Sequence, residues 1–174
     1  LDANKLKTVP SEVGNLKQLR TLSLGYNELT AVPAKVTKLT KLRSLDLDGN
    51  DLTSLPSQIG KLSRLQSLGA AANELRSLPS SISNLTKLQY LGVGQNKISA
   101  VPAGVSKLTN LTVLDLSYNR LAGDVSPWVQ SLRVANKIQT LYLVGNSGCL
   151  TANTEQLADW LSSKDPNWND GCRQ

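Results

Sequence analysis

The sequence predicts a curved α/β solenoid, with parallel strands lining a concave face, irregular or short helical segments on the convex side, and a helical cap at the C-terminal end. Three observations predict it. Asparagines stand at Asn4, Asn27, Asn50, Asn73, Asn96 and Asn119, each 23 residues after the last, and Asn146 follows after 27. One phrase surrounds them: LRTLSLGYNELTAVPAKVTKL from Leu19 is echoed by LRSLDLDGNDLTSLPSQIGKL from Leu42, LQSLGAAANELRSLPSSISNL from Leu65 and LQYLGVGQNKISAVPAGVSKL from Leu88. From residue 147 the phrase gives way to a segment that reads as an amphipathic helix between two cysteines. A fixed period of this kind marks units that cannot bury a hydrophobic face alone and stack to do so.

The elements follow in order. Leu1 aligns with Leu24, so the chain begins inside a repeat, and a cap or further chain is expected before it. Each unit places a short strand at its LxL core, with leucines turned inward and the alternate residues outward. The Asn column is expected inside the following turn, its amide satisfying backbone groups that the bend leaves unpaired. Pro10, Pro33, Pro56, Pro79 and Pro102 set the chain direction, and Val13, Val36, Ile59, Ile82 and Val105 cover the core from the convex side. After Leu121 the register breaks: LAGDVSPWVQSLRVANK is four residues longer than its counterparts and lacks the proline signature. Ser126-Pro127 reads as an N-cap followed by proline at the first helical position, which predicts a short convex helix. In the tail, Asn153 with Gln156 reads as a capping-box start, and Leu157, Trp160 and Leu161 share one helical face.

The consensus LxxLxLxxNxLxxLPxxhxxL, where h is aliphatic, is that of the leucine-rich repeat. Its LPxxhxxL back half resembles the repeats of Ras-suppressor-like scaffolds, plant intracellular relatives and many bacterial proteins. LAGDVSPWVQSL resembles the LxGxIPxxL phrase of plant-type extracellular repeats, and the tail, with DPNWNDGC, resembles the DPxWxxGC caps of secreted bacterial members. It departs from the four-cysteine caps of vertebrate extracellular receptors. The resemblance implies one leucine-rich repeat domain over 1–174, with repeats over 1–146 and a cap over 147–174. It implies partner binding in general and names no partner.

Cys149 and Cys172 bracket the cap and are the only cysteines. A disulfide between them is expected, with buried free thiols as the alternative; it would place the protein outside the cell, on its surface or in a periplasm. Asn84-Leu85-Thr86 and Asn110-Leu111-Thr112 match the glycosylation pattern, which matters only in a eukaryotic source.

Catalysis is not supported. With no histidine, a Ser-His or Cys-His arrangement is excluded, and neither a phosphate-cradling glycine loop nor a clustered set of metal ligands appears. Asp46 and Asp48 resemble a glycosidase pair only in number, since they are outward positions on one exposed strand with no apolar pocket to raise either pKa. No cofactor or metal is implied. No apolar run approaches the roughly 18 residues of a membrane span.

Binding is better supported. All four tyrosines, Tyr26, Tyr90, Tyr118 and Tyr142, fall among the 32 outward positions of the strands, and none of the 12 lysines does. Tyrosine offers rigid amphipathic contact area at low entropic cost. Those positions hold Arg20 and Arg43 against Asp2, Asp46, Asp48 and Asp115, a net of −2 in a chain of +6. The concave face is therefore a poor nucleic-acid surface. Lys38, Lys41, Lys61, Arg64, Lys87 and Lys107 form a basic ridge beside it, which solubility explains or an anionic surface could meet. In LQSLGAAANEL, Ala70 replaces an inward leucine while Gly69, Ala71 and Ala72 shorten the outward face, and Gly92 and Gly94 do the same one strand later. A bare floor is expected there, walled by Arg43, Asp46 and Asp48 on one side and by Tyr90, Gln95, Asp115 and Tyr118 on the other. The reading is a monomeric module binding a protein through this face, with a sugar-binding surface module or an intracellular scaffold as rivals.

Overall fold

The structure, a computed structural model, describes residues 1–172. Six three-residue strands form one parallel sheet: β1 (Thr21–Ser23), β2 (Ser44–Asp46), β3 (Ser67–Gly69), β4 (Tyr90–Gly92), β5 (Val113–Asp115) and β7 (Thr140–Tyr142). The period sets the register. Leu22, Leu45, Leu68, Leu91, Leu114 and Leu141 pair directly across successive strands, so each leucine packs on its own counterpart in the next unit. The inward column behind them runs Leu24, Leu47, Ala70, Val93, Leu116 and Leu143, all fully buried.

The asparagine column does the work expected of it. Asn73 Oδ1 accepts from Leu52 N at 2.9 Å, and its Nδ2 donates to Leu47 O at 2.9 Å, Ala71 O at 3.0 Å and Ala70 O at 3.3 Å. Asn27, Asn50, Asn96, Asn119 and Asn146 repeat the pattern, each buried and each side chain tying its own turn to the preceding repeat. A polar side chain is stable there because every polar atom of the amide is used.

The convex side follows from the prolines. The carbonyls of Pro10, Pro33, Pro56, Pro79 and Pro102 accept from the amides of Val13, Val36, Ile59, Ile82 and Val105 at 2.9–3.1 Å, opening a tight 3-10 turn in each repeat. Val36, Ile59, Ile82 and Val105 are fully buried, and Val13 is partly so.

Where the register breaks, the structure corrects the expected caps. Helix α1 spans Ser126–Ala135, and Asp124, not Ser126, anchors its start: Asp124 Oδ1 accepts from Ser126 N at 2.8 Å and also from Ser126 Oγ. Ser126 Oγ in turn accepts from Asn153 N at 2.8 Å, tying the helix to the tail. Two residues of the same segment, β6 (Gly123–Asp124), pair in parallel with β8 (Leu150–Thr151) in a small second sheet that the pattern did not announce. Helix α2 spans Glu155–Lys164 and is capped by Thr154, whose Oγ1 accepts from Leu157 N at 3.2 Å, rather than by Asn153. A hydroxyl one residue closer to the helix reaches its third amide where Asn153 does not. Leu157 and Leu161 are fully buried, Trp160 is partly buried, and Trp168 joins them with Nε1 donating to Ser162 Oγ at 3.1 Å. Cys149 and Cys172 form a disulfide across 23 residues, with Cα atoms 4.3 Å apart.

The concave face as candidate binding site

Outward residues of the sheet stand in columns, because the register is unshifted from strand to strand. One column runs Ser23, Asp46, Gly69, Gly92, Asp115 and Tyr142. Two residues further along, each chain turns away from the sheet and presents an amide, on Gly25, Asp48, Ala71, Gly94, Ser117 and Val144, that the ladder does not use. Aspartates take these amides. Asp2 Oδ1 accepts from Gly25 N at 3.0 Å and Asp48 Oδ1 from Ala71 N at 2.7 Å, each reaching one repeat forward. Asp46 and Asp115 reach two residues along their own strands, to Asp48 N at 3.0 Å and Ser117 N at 2.9 Å. Asp165, from the cap, closes the last: its Oδ2 accepts from Val144 N at 2.8 Å and Leu143 N at 2.6 Å. Gly94 is the exception. Its two possible cappers are Ala71 and Gly92, which have no carboxylate, and its N–H finds no partner among the described residues.

The aspartates thus carry a backbone duty that the sequence reading, which counted them only as outward charge and as walls of the floor, did not see. Asp48 is half-buried, and burial raises its pKa above the ordinary 3.8; the Ala71 amide opposes this, while the Asp46 and Asp115 charges add to it. This corrects the expectation that nothing raises either member of the Asp46–Asp48 pair. The Tyr90 phenol is also raised, by burial first and then by Asp48, Asp115 and Asp46.

The floor is not bare either. Gly69, Gly92 and Gly94 are buried, because neighbours lean into the space their missing side chains leave. A Cβ on Gly69 would meet Asp48 Oδ1 at 2.9 Å, one on Gly94 would meet Asp115 Oδ1 at 2.9 Å, and the Tyr90 ring lies over Gly92. Small residues here admit carboxylates and a ring to the backbone rather than opening a hollow.

The tyrosines remain exposed, at 67% for Tyr26, 58% for Tyr118, 46% for Tyr142 and 36% for Tyr90. Tyr26 and Tyr118 occupy the left-handed position of their turns, with φ of 53° and 51°, in one column with Gly49, Ala72, Gln95 and Gly145. The next residue in that column is a glycine for both. A Cβ on Gly49 would come within 2.8 Å of the Tyr26 ring and one on Gly145 within 2.5 Å of the Tyr118 ring. Each ring therefore rests on bare backbone and is held in place while its outer side stays open. Arg43 and Gln95 are exposed, and Asp46, Ala71 and Asp115 are half-buried. The glycine cradles and Asp165 escaped the sequence reading, although the recurrence of Gly after Tyr in one column is a signal for the first.

A family model described as a leucine-rich repeat region matches residues 35–163, and a second, described as a leucine rich repeat, matches residues 1–52. The chain belongs to the leucine-rich repeat family. No curated protein matches the sequence. Among solved structures, this leucine-rich repeat chain is similar to a TDR receptor, at 32% identity and a TM-score of 0.74 over 82% of this chain and 24% of that one. It is similar to an internalin of Listeria monocytogenes, at 28% identity and a TM-score of 0.71 over 84% of this chain and 39% of that one. It is also similar to the Arabidopsis receptor kinase HAESA, solved with the peptide hormone IDA and a co-receptor, at 31% identity and a TM-score of 0.73 over 82% of this chain and 24% of that one. The chain therefore spans well under half the length of these relatives. Among the described residues, no helix is long and apolar enough to cross a membrane.

Proposed function

We propose that this leucine-rich repeat chain is a non-enzymatic recognition module that binds a protein or peptide through its concave face. The observation that carries the reading is the set of exposed tyrosines, two of them seated on glycine cradles. A ring already immobilised loses little entropy when a partner covers it, so its apolar area counts nearly in full toward affinity. The face is acidic in net charge, since the half-buried Asp46, Asp48 and Asp115 together with Asp2 outnumber the exposed Arg20 and Arg43, and this favours a partner with basic or donor groups opposite the aspartates. The peptide held by HAESA supports a peptide or protein partner for a face of this kind. The disulfide supports a place outside the cytoplasm, in keeping with a secreted or surface protein rather than an intracellular scaffold. A glycan is the second reading, favoured by tyrosine rings standing beside carboxylates and the exposed Gln95 amide.

The test is a paired capture. Wild type and a Tyr26→Ser, Tyr118→Ser, Tyr142→Ser variant are immobilised and challenged with the source's secreted proteins and with a glycan panel. These side chains are exposed, so the variant keeps its fold, checked by its melting curve. A protein retained by wild type and lost by the variant supports the reading, a glycan so retained transfers it to the second, and equal retention removes the concave face from both.

A further inference from the structure

Beside the concave face, at the N-terminal end of β2 and β3, four side chains close around a cavity of about 200 Å³: Arg43, Arg64, Gln66 and Lys87. The backbone there is held by hydrogen bonds. Gln66 N donates to Arg43 O at 2.8 Å, and the turns that carry Arg64 and Lys87 are closed by Leu65 N to Leu62 O at 2.8 Å and Leu88 N to Leu85 O at 2.9 Å.

What sets this place apart is charge without an acceptor. Arg64 and Lys87 stand in the column just before each strand. Elsewhere in that column a cation faces an amide from the previous repeat: Lys41 Nζ donates to Gln18 Oε1 at 2.6 Å, and Lys137 Nζ to Asn110 Oδ1 at 2.6 Å. Arg64 instead follows Lys41, and Lys87 follows Arg64, so each has a cation and not an amide one repeat before it. Among the described residues, the side chains of Arg43, Arg64 and Lys87 make no hydrogen bond or ion pair. The convex groove lined by Lys17, Lys35, Lys38 and Lys61 is a weaker candidate, since Lys35 already donates to Ser11 Oγ and Lys61 to Gln58 Oε1.

We propose that the Arg43–Arg64–Lys87 pocket binds a single tetrahedral oxyanion, a sulfate or phosphate group. Two guanidinium forks offer paired N–H donors to two edges of such a group, the ammonium takes a third oxygen, and the Gln66 amide supplies a neutral donor. The volume lies below the roughly 300–1,000 Å³ of drug-sized sites, which suits one small group and its waters rather than a whole ligand. This assignment shares Arg43 with the wall of the concave face, but it does not rest on the concave-face reading.

The test follows backbone amides 43, 64, 66 and 87 by NMR while inorganic sulfate or inorganic phosphate replaces chloride at constant ionic strength. Wild type is expected to show saturable shifts at these four amides. Arg64→Ala with Lys87→Ala is expected to weaken binding by about tenfold or more. Lys107→Ala with Arg120→Ala removes the same charge elsewhere and is expected to change it by less than about twofold. Arg43→Gln, which leaves the ridge intact, is a second loss variant. Sulfate held more tightly than phosphate points to sulfate esters as the natural group, and the reverse to phosphate esters; either supports the site. Shifts that do not saturate, or equal losses in the two double variants, overturn it in favour of a diffuse field along the ridge.

Discussion

The uncapped amide of Gly94 makes a stability gain available at a single position. Ala71 occupies the place from which Asp2 and Asp48 reach the amide one repeat ahead, at 3.0 and 2.7 Å, so Ala71→Asn would bring a neutral acceptor to Gly94 N. A buried hydrogen bond is worth about 0.5–1.5 kcal/mol net, and relieving an unsatisfied donor adds to that. Ordering the new side chain costs about 0.5–1 kcal/mol. The expected result is a gain of about 1 kcal/mol, which for a chain of this size raises the melting temperature by about 2–4 °C. Ala71→Asp makes the same bond but sets a charge beside Asp48 on a strand about 4.8 Å away. Repulsion at about 5 Å in water amounts to roughly 0.8 kcal/mol, enough to cancel most of the gain at low salt. In 1 M salt, where the screening length falls to about 3 Å, the two variants should converge. Thermal unfolding at two salt concentrations measures the difference, and hydrogen exchange at Gly94 reports the bond directly. If Ala71→Asn leaves Gly94 exchange unchanged or lowers the melting temperature, the capping argument is wrong.

Three further outcomes are expected. Because burial raises Asp48 above 3.8, the folded chain holds that proton more tightly than the unfolded one, so Asp48 costs stability as pH rises through its raised value. Asp48→Asn keeps an acceptor for Ala71 N, and the stability of wild type minus variant should fall between pH 4 and neutrality in urea titrations; a flat or rising difference refutes the assignment. Asp165→Ala strands the Leu143 and Val144 amides and should cost about 2–4 kcal/mol, with Asp165→Asn recovering part of it by denaturant unfolding. Gly145→Ala and Gly123→Ala both place a side chain at positive φ, at 73° and 82°, but only the first meets a ring. Gly123→Ala should cost about 1–2 kcal/mol, and Gly145→Ala about 1–3 kcal/mol more, with shifted Tyr118 ring resonances; equal costs would show that Tyr118 does not rest on Gly145.

The repeat was legible because everything that makes it is local or periodic. A leucine that packs on its own copy 23 residues later, such as Leu45 on Leu68, states its partner through the period. An asparagine that bonds Leu47 O and Leu52 N does so in every unit, so one reading serves all. The misreadings lie where a contact depends on reach across aperiodic chain. Asp124 and Thr154 displaced the expected caps by one or two residues, because capping is decided by side-chain geometry at the helix start rather than by residue type alone. Asp165 meets amides 21 and 22 residues earlier, a spacing that matches no period in the sequence. At the floor, composition showed what Gly69 and Gly92 lack but not that Asp48 and Tyr90 would lean into the vacancy.

That division decides how the concave face can be dissected. Asp46, Asp48 and Asp115 are acidic toward a partner and at the same time cap amides of the fold, so a charge reversal at Asp115 removes the Ser117 cap together with any contact it makes. Loss of binding in such a variant would not separate recognition from local unravelling. Tyr142, Gln95 and Arg43 carry no such duty: their side chains make no hydrogen bond among the described residues, and all three are exposed. They lie on three different repeats, so in buffers free of sulfate and phosphate, where the pocket that Arg43 lines is not in use, a graded loss across Arg43→Ala, Gln95→Ala and Tyr142→Ala would trace the footprint of a partner along the solenoid. The aspartates become informative only through isosteric Asn variants, which keep the acceptor and remove the charge, so that a change in binding without a change in melting temperature isolates their electrostatic part.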